Sequence, residues 1–331
     1  MSVAAVSPAP IVVTKSAPGK LFLFGEYAVL EGHLALVAAV DRRVVVRYAT
    51  DPAADALTIG GSFFATPVRV LLGELDAGLA GPASRVVAGI LAARDVGARI
   101  RGGTLDVDSR ALFDGDRKLG FGSSAAVTVA TFGALGGRVG DEAFARCRHW
   151  HNRAQGTQGS GGDIAASLLG GLACLRGDRI ARSDWVPPLA VLFHPKSAST
   201  PAFVSNVKRF KQEQPAEYRA RIAVLGAIAE RAADAARLQD GAAWVALVRE
   251  AAVALDALGE VSGTGIVTPY QREIATLCDS FGAASKPAGA GGGDVSLICA
   301  ADDRVLADAM EAIRMKGGHC ERLAIAATGL A

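Results

Sequence analysis

Apolar residues come in short runs near the start of the chain, at 11–14 and 21–24 and then at 34–40 and 44–48, where Val, Leu and Ala dominate. Runs of this length between turn-forming residues predict strands of one early sheet, with Ser16-Ala17-Pro18-Gly19 as the turn between the first two. A further strand is expected at 104–107, and 84–95 has the spacing of an amphipathic helix. Asp114-Gly115-Asp116 signals a turn. After it, Gly120-Phe121-Gly122-Ser123-Ser124 leads into the small apolar residues 125–135, the pattern of a glycine loop opening a buried helix. Helices follow at 141–155 and from near Asp163. Beyond a boundary near 186 come a strand at 189–193, a long helical stretch at 204–238 interrupted by Pro215, and a helix at 242–258. A strand at 295–300, a helix at 303–316 and an apolar stretch at 323–327 close the chain.

Composition narrows the classes. The 331 residues, half of them hydrophobic, suit two cooperating lobes or one large α/β domain and exclude a disordered chain. Lys and Arg number 35 against 33 Asp and Glu, a net +2 that points to no nucleic-acid partner. The longest aliphatic run, 34–40, falls far short of the ~20 residues needed to cross a bilayer, so no membrane association is expected. Residues 1–10 carry no Lys or Arg and are interrupted by Pro8 and Pro10, unlike a secretory signal. They read as a loose tail on a cytoplasmic protein. Five widely spaced cysteines (Cys147, Cys174, Cys278, Cys299, Cys320) read as buried free thiols, neither disulfides nor a zinc site. The 39 glycines exceed the ~7% average without any repeat to absorb them, so they serve particular places.

The first such place is the loop at 120–124. Its glycines let backbone N–H groups turn toward an anion at a helix N-terminus, the setting of a polyphosphate site. Ser124 is placed to hold a magnesium ion, and Lys118 to approach the same charge; a glycine turn with a serine helix cap fits the residues too. No Walker pattern is present, since Gly19-Lys20 is followed by Leu21. The dinucleotide fingerprint matches in spacing but follows the charged, turn-like 113–118 where a hydrophobic strand is required. A second cluster, Lys286-Pro287-Ala288-Gly289-Ala290-Gly291-Gly292-Gly293-Asp294, precedes the strand at 295–300 and marks either a close backbone approach or a mobile hairpin. Asp163 follows Ser160-Gly161-Gly162 at a helix start, where Asp is commonly a cap, and Lys20 interrupts an apolar strand. His149 and His151, two apart on a helix, point to different faces and read as structural.

Taken together these segments resemble the GHMP small-molecule kinase superfamily. Pro18-Gly19-Lys20-Leu21-Phe22-Leu23-Phe24-Gly25-Glu26-Tyr27 looks like its first motif, Gly120-Phe121-Gly122-Ser123-Ser124-Ala125-Ala126 like its phosphate loop and 286–294 like its third motif, in family order along nearly the whole chain. Within the superfamily the phosphomevalonate kinase family is closest, on Gly25-Glu26-Tyr27-Ala28-Val29-Leu30, on Ala154-Gln155-Gly156 leading to Gly162-Asp163-Ile164-Ala165-Ala166-Ser167, on Lys196-Ser197-Ala198-Ser199-Thr200, and on Gly265-Ile266-Val267-Thr268-Pro269 with Lys286-Pro287. Departures are Phe121, where Leu is usual, and Val295, where Cys often stands.

The resemblance implies an α+β, two-lobed fold: a tail at 1–10, an ATP-binding lobe at 11–185 resembling ribosomal protein S5 domain 2, and a ferredoxin-like lobe at 186–331. It implies ATP and Mg²⁺ as cofactors, with the metal on Ser124 and the nucleotide on Lys118, Gly120, Gly122, Ser123, Ser124 and Ala125. Lys20 and Asp163 would be the catalytic pair, side by side in a cleft. The acceptor, phosphomevalonate, would meet Tyr27, Ser160, Lys196, Ser197, Ser199, Gly289, Ala290, Gly291 and Gly292, with Thr200, Lys208 and Arg209 as further candidates. The rivals are a mevalonate kinase, a mevalonate-phosphate decarboxylase, a dinucleotide oxidoreductase and a non-catalytic binding relative. Monomer and homodimer stay open.

Overall fold

The structure, a computed structural model, describes residues 10–62, 64–194, 200–293 and 295–331. The chain runs β1 (Val12–Phe24), β2 (Ala35–Thr50), β3 (Ala56–Gly61), β4 (Val68–Leu71), α1 (Ser84–Asp95) and β5 (Gly103–Asp108). A small hairpin of β6 (Phe113–Asp114) and β7 (Arg117–Lys118) precedes α2 (Ser123–Ala134), α3 (Asp141–Gln155), α4 (Gly162–Leu169), β8 (Leu172–Arg176) and β9 (Arg179–Ser183). These strands, the small hairpin aside, build one sheet in the order β4-β3-β5-β2-β8-β9, with β1 also paired to β2. Among the described strands only β3 and β5 run parallel. This is an α+β sheet, not the parallel sheet of a dinucleotide-binding fold.

Two expectations change here. Residues 16–19 are no turn, because β1 continues through them with a register shift between Pro18 and Gly19. Proline, having no N–H to give, is tolerated on this edge strand at such an irregularity. Likewise 34–40 and 44–48 belong to the single strand β2. Pro18 pairs with Arg43 and Gly19 with Val40, so Asp41 and Arg42 form a bulge within the strand. The charged residues that read as a gap are bulge residues. The bulge frees backbone groups for the end of the chain: Asp41 N–H donates to the Ala324 carbonyl (2.8 Å).

A second, fully antiparallel sheet follows. Its elements are β10 (Leu189–Phe193), α5 (Thr200–Glu213), α6 (Pro215–Leu238), α7 (Gly241–Val261), α8 (Pro269–Ser280), β11 (Ala284–Pro287), β12 (Val295–Cys299), α9 (Asp303–Met315) and β13 (His319–Arg322), and its strand order is β11-β12-β10-β13. Alternation explains the unbroken apolar run of β10. Ala190 and Leu192 pack with Ile274, Ile298 and Met310, whereas Leu189, Val191 and Phe193 face the large core shared with the first sheet. The final apolar stretch at 323–327 leaves this sheet and returns to the first. Ala326 N–H donates to the Ala39 carbonyl (2.9 Å), and Ser16 and Ala331 exchange backbone hydrogen bonds of 2.8 and 2.9 Å. Of the five free cysteines, all but the half-buried Cys174 are buried, and among the described residues no helix is long and apolar enough to cross a membrane.

Candidate active site

The glycine loop is built against β1. Lys20 donates its backbone N–H to the Phe121 carbonyl (2.8 Å) and its Nζ to the Gly120 carbonyl (3.3 Å). Gly19 makes the approach possible: a Cβ there would lie 2.7 Å from the Phe121 carbonyl oxygen and from Leu112 Cδ2. Gly120 and Gly122 both have positive φ, +79° and +72°, and a Cβ on Gly122 would stand 3.0 Å from Lys20 Cγ and Cε. The loop therefore turns left-handed into α2 with the lysine stem laid along it. Gly122 caps α2 without a side-chain bond, so the first-turn N–H groups at Ser123, Ser124 and Ala125 are not capped by it.

A cavity of about 510 Å³ opens beside this helix start. Lys118, Ser123, Ser124 and Arg85 line it on the polar side, Phe64 and Phe113 on the apolar side, and among the described residues no carboxylate lines it. That combination suits a nucleotide: N–H groups and cations for a polyphosphate, apolar walls for a base. Among the described residues no group of three His, Cys, Asp or Glu side chains could hold a metal. A magnesium ion carried by nucleotide phosphates, with the Ser124 hydroxyl as protein ligand, fits that donor set.

Asp163 lies in the first turn of α4, its Oδ1 accepting the Ile164 N–H at 2.9 Å. The helix packs on β1 at both sides of Lys20. The Ser167 hydroxyl donates to the Pro18 carbonyl (2.8 Å), and a Cβ on Gly162 would lie 3.1 Å from Phe22 Cε2. Behind Asp163 sits His151, buried on α3 with its ring against the Gln155 amide. Burial holds the His151 pKa below its ordinary value, Arg85 adds to that, and Asp163 opposes it.

A larger cavity, about 920 Å³, lies between α3 and α5 and is lined by Tyr27, Ser160, Arg148, Arg153, Lys208 and Lys211, among others. Its one lining carboxylate, Glu31, is taken by Lys211 (2.6 Å) and by the Tyr218 hydroxyl (2.9 Å). Arg148 is paired with Asp178, whereas Arg153 and Lys208 have no carboxylate partner among the described residues. Lys208 is exposed and lines the mouth of this cavity, while Arg209 is exposed near Glu213 (3.8 Å).

The third motif meets the first through two long-range ties. Tyr27 donates its hydroxyl to the Ala290 carbonyl (2.6 Å), and the fully buried Lys286 pairs with Glu26 and donates to the Pro287 carbonyl (2.9 Å). Tyr27, expected to hold substrate, thus spends its proton on the Ala290 carbonyl. Internal packing accounts for two of the loop's glycines, since a Cβ on Gly291 would lie 2.4 Å from the Ile266 carbonyl oxygen and one on Gly292 2.2 Å from Phe203 Cζ. Gly289 differs: its φ is +79° and it has open space around it. Lys196, Ser197, Ser199 and Asp294 lie outside the described residues, as does the side chain of Thr200. Sequence reasoning passed over Glu26 and Arg85 as site residues and read His151 as structural. The only signal for Glu26 and Lys286 was a charge set in an apolar strand context.

A model of the GHMP kinases N terminal domain matches residues 91–171. The chain is 30% identical to a phosphomevalonate kinase of Streptomyces sp. (strain CL190) over 336 residues, 86% of this chain and 89% of the relative. It is 28% identical to a mevalonate kinase of Thermococcus onnurineus (strain NA1), covering 92% of this chain and 94% of the relative. Among solved structures, Streptococcus pneumoniae phosphomevalonate kinase in complex with phosphomevalonate and AMPPNP superposes with a TM-score of 0.75 at 20% identity, over 94% of this chain and 99% of that one.

Proposed function

We propose that this chain, which belongs to the GHMP kinase superfamily, is a kinase of the mevalonate pathway that phosphorylates 5-phosphomevalonate to 5-diphosphomevalonate with ATP. The observation that carries the choice of acceptor is the cationic 920 Å³ cavity, where Arg153 and Lys208 lack carboxylate partners among the described residues: mevalonate brings one carboxylate, whereas its phosphate brings a dianion besides, enough charge for more than one such cation. The similarity to mevalonate kinases supports a second reading, with mevalonate itself as acceptor.

In the first reading, an oxygen of the acceptor phosphate attacks Pγ, a P–O–P anhydride forms, and the bond from Pγ to the β-bridging oxygen breaks as ADP leaves. Such a transfer depends on in-line positioning and on neutralising charge spread over the phosphoryl oxygens. Bound Mg²⁺ supplies part of that neutralisation. Ser123, Ser124 and the first-turn N–H groups of α2 orient the triphosphate, and Lys20, held on the loop by its bond to Gly120, screens donor from acceptor. A phosphomonoester has a second pKa of about 6 and arrives largely without a proton, so little remains for a base to remove. Asp163 then acts as an anchor that keeps Lys20 charged and in place. Lys20→Met and Asp163→Asn are each expected to lower kcat by at least about 100-fold. Near-normal turnover in Asp163→Asn contradicts the anchor role. The acceptor is tested by coupled ADP release with mevalonate, 5-phosphomevalonate and 5-diphosphomevalonate offered separately. Release with 5-phosphomevalonate alone is expected; release with mevalonate alone moves the protein to the second reading.

A further inference from the structure

Arg85 is the second residue of α1 and lines the same cavity as the helix start that follows the glycine loop. The fully buried Thr128 fixes it there, with a hydroxyl reaching both the Arg85 carbonyl (3.0 Å) and the Ser124 carbonyl (3.2 Å), so that the first turns of α1 and α2 are stitched together. Gly89 permits the contact, since a Cβ there would lie 2.4 Å from the Thr128 carbonyl oxygen. The side chain is half-buried and positioned by one arm: Nη1 bonds the Ser84 hydroxyl (2.8 Å) and the Ala154 carbonyl in the last turn of α3. No carboxylate among the described residues is paired with it, and burial lowers its pKa. Among the described residues the cavity it lines has no acidic side chain; it holds a second cation in Lys118 and receives Ser123 and Ser124 from the phosphate loop.

We propose that Arg85 is a phosphate-binding residue for the nucleotide, its remaining guanidinium N–H groups gripping the polyphosphate together with the glycine loop. This rests on reading the cavity as the nucleotide site. A planar fork held by one nitrogen keeps its remaining N–H groups aligned for phosphate oxygens, which a lysine at this position would not. The bland alternative is that Arg85 only caps the end of α3.

Titration calorimetry of the whole protein with ADP and with adenosine separates the two. In Arg85→Met, ADP affinity is expected to fall about 10- to 100-fold while adenosine affinity stays within about two-fold. Arg85→Lys, which keeps a donor for the Ala154 carbonyl, is expected to lie between wild type and Met for ADP and to match wild type for adenosine. The wild-type preference for ADP over adenosine should narrow with added salt more than it does in Arg85→Met. If ADP and adenosine weaken in parallel, or ADP affinity is unchanged in both variants, Arg85 is structural and the proposal is overturned. A wild-type protein that binds ADP no more tightly than adenosine overturns the nucleotide reading of the cavity itself.

Discussion

Gly122 shows how closely the lysine and the loop are fitted. Its φ of +72° disfavours any side chain, and a methyl group there would sit 3.0 Å from the Lys20 stem, which would have to shift by a few tenths of an ångström. Gly122→Ala is expected to cost about 1–2 kcal/mol of stability from backbone strain, seen by urea unfolding, and to raise the KM for ATP by displacing Lys20. His151 sets a pH dependence. Its folded-state pKa is depressed, so below the unfolded value of about 6.5 the unfolded chain takes up more protons and stability falls as pH drops toward the folded value. Unfolding measured between pH 8 and pH 5 should show a decline that begins near 6.5 and is shallower in His151→Gln. A variant with the wild-type slope would assign the decline to other groups. Neither the strain at Gly122 nor the burial of His151 was legible in the sequence; the chemical identity of Lys20, Ser124 and Asp163 was.

Between elements, the ties from the turn after β1 to β11 and the loop beyond it matter most. Tyr27 sits at φ 61°, ψ −45° with the Ala28 N–H donating to the Glu26 carbonyl (2.6 Å), a strained γ-turn that the two side chains hold in place. Lys286 and Glu26 are both buried, and the second Glu26 oxygen has no partner, so removing one charge strands the other. Lys286→Met is expected to destabilise the protein by about 3–5 kcal/mol, and the double variant Glu26→Gln, Lys286→Met by clearly less. Urea unfolding of the three proteins checks this, and equal losses would show that the charges are not coupled. At this scale the sequence was uneven. The helices α1, α3 and α9 and the strand β10 follow apolar patterns that sequence alone reveals. β9 does not, since Arg-Ile-Ala-Arg-Ser has no alternating apolar face, and β11 contains a proline tolerated at the sheet edge and a lysine buried against Glu26. α8 was readable but missed, for Thr268 and Gln271 form a capping box just where the helix begins.

For the whole molecule, segments scattered through the chain meet along β1: Lys20 bonds Gly120, the helix that carries Asp163 seats on Pro18, and Lys286 pairs with Glu26 in the turn that follows the strand. Motif order along the sequence signalled a common family, whereas the two cavities, one without acids among its described lining residues and one rich in cations, exist only once the sheets are packed. ATP with Mg²⁺ is expected to raise the thermal midpoint and NAD to leave it unchanged; protection by NAD alone would contradict the nucleotide assignment. The most direct measurement is ³¹P NMR of the product formed from ATP and 5-phosphomevalonate. A phosphoanhydride, seen as two mutually coupled doublets beyond those of ADP, is the expected result. No new anhydride from 5-phosphomevalonate, with a phosphomonoester formed instead when mevalonate is supplied, would contradict it.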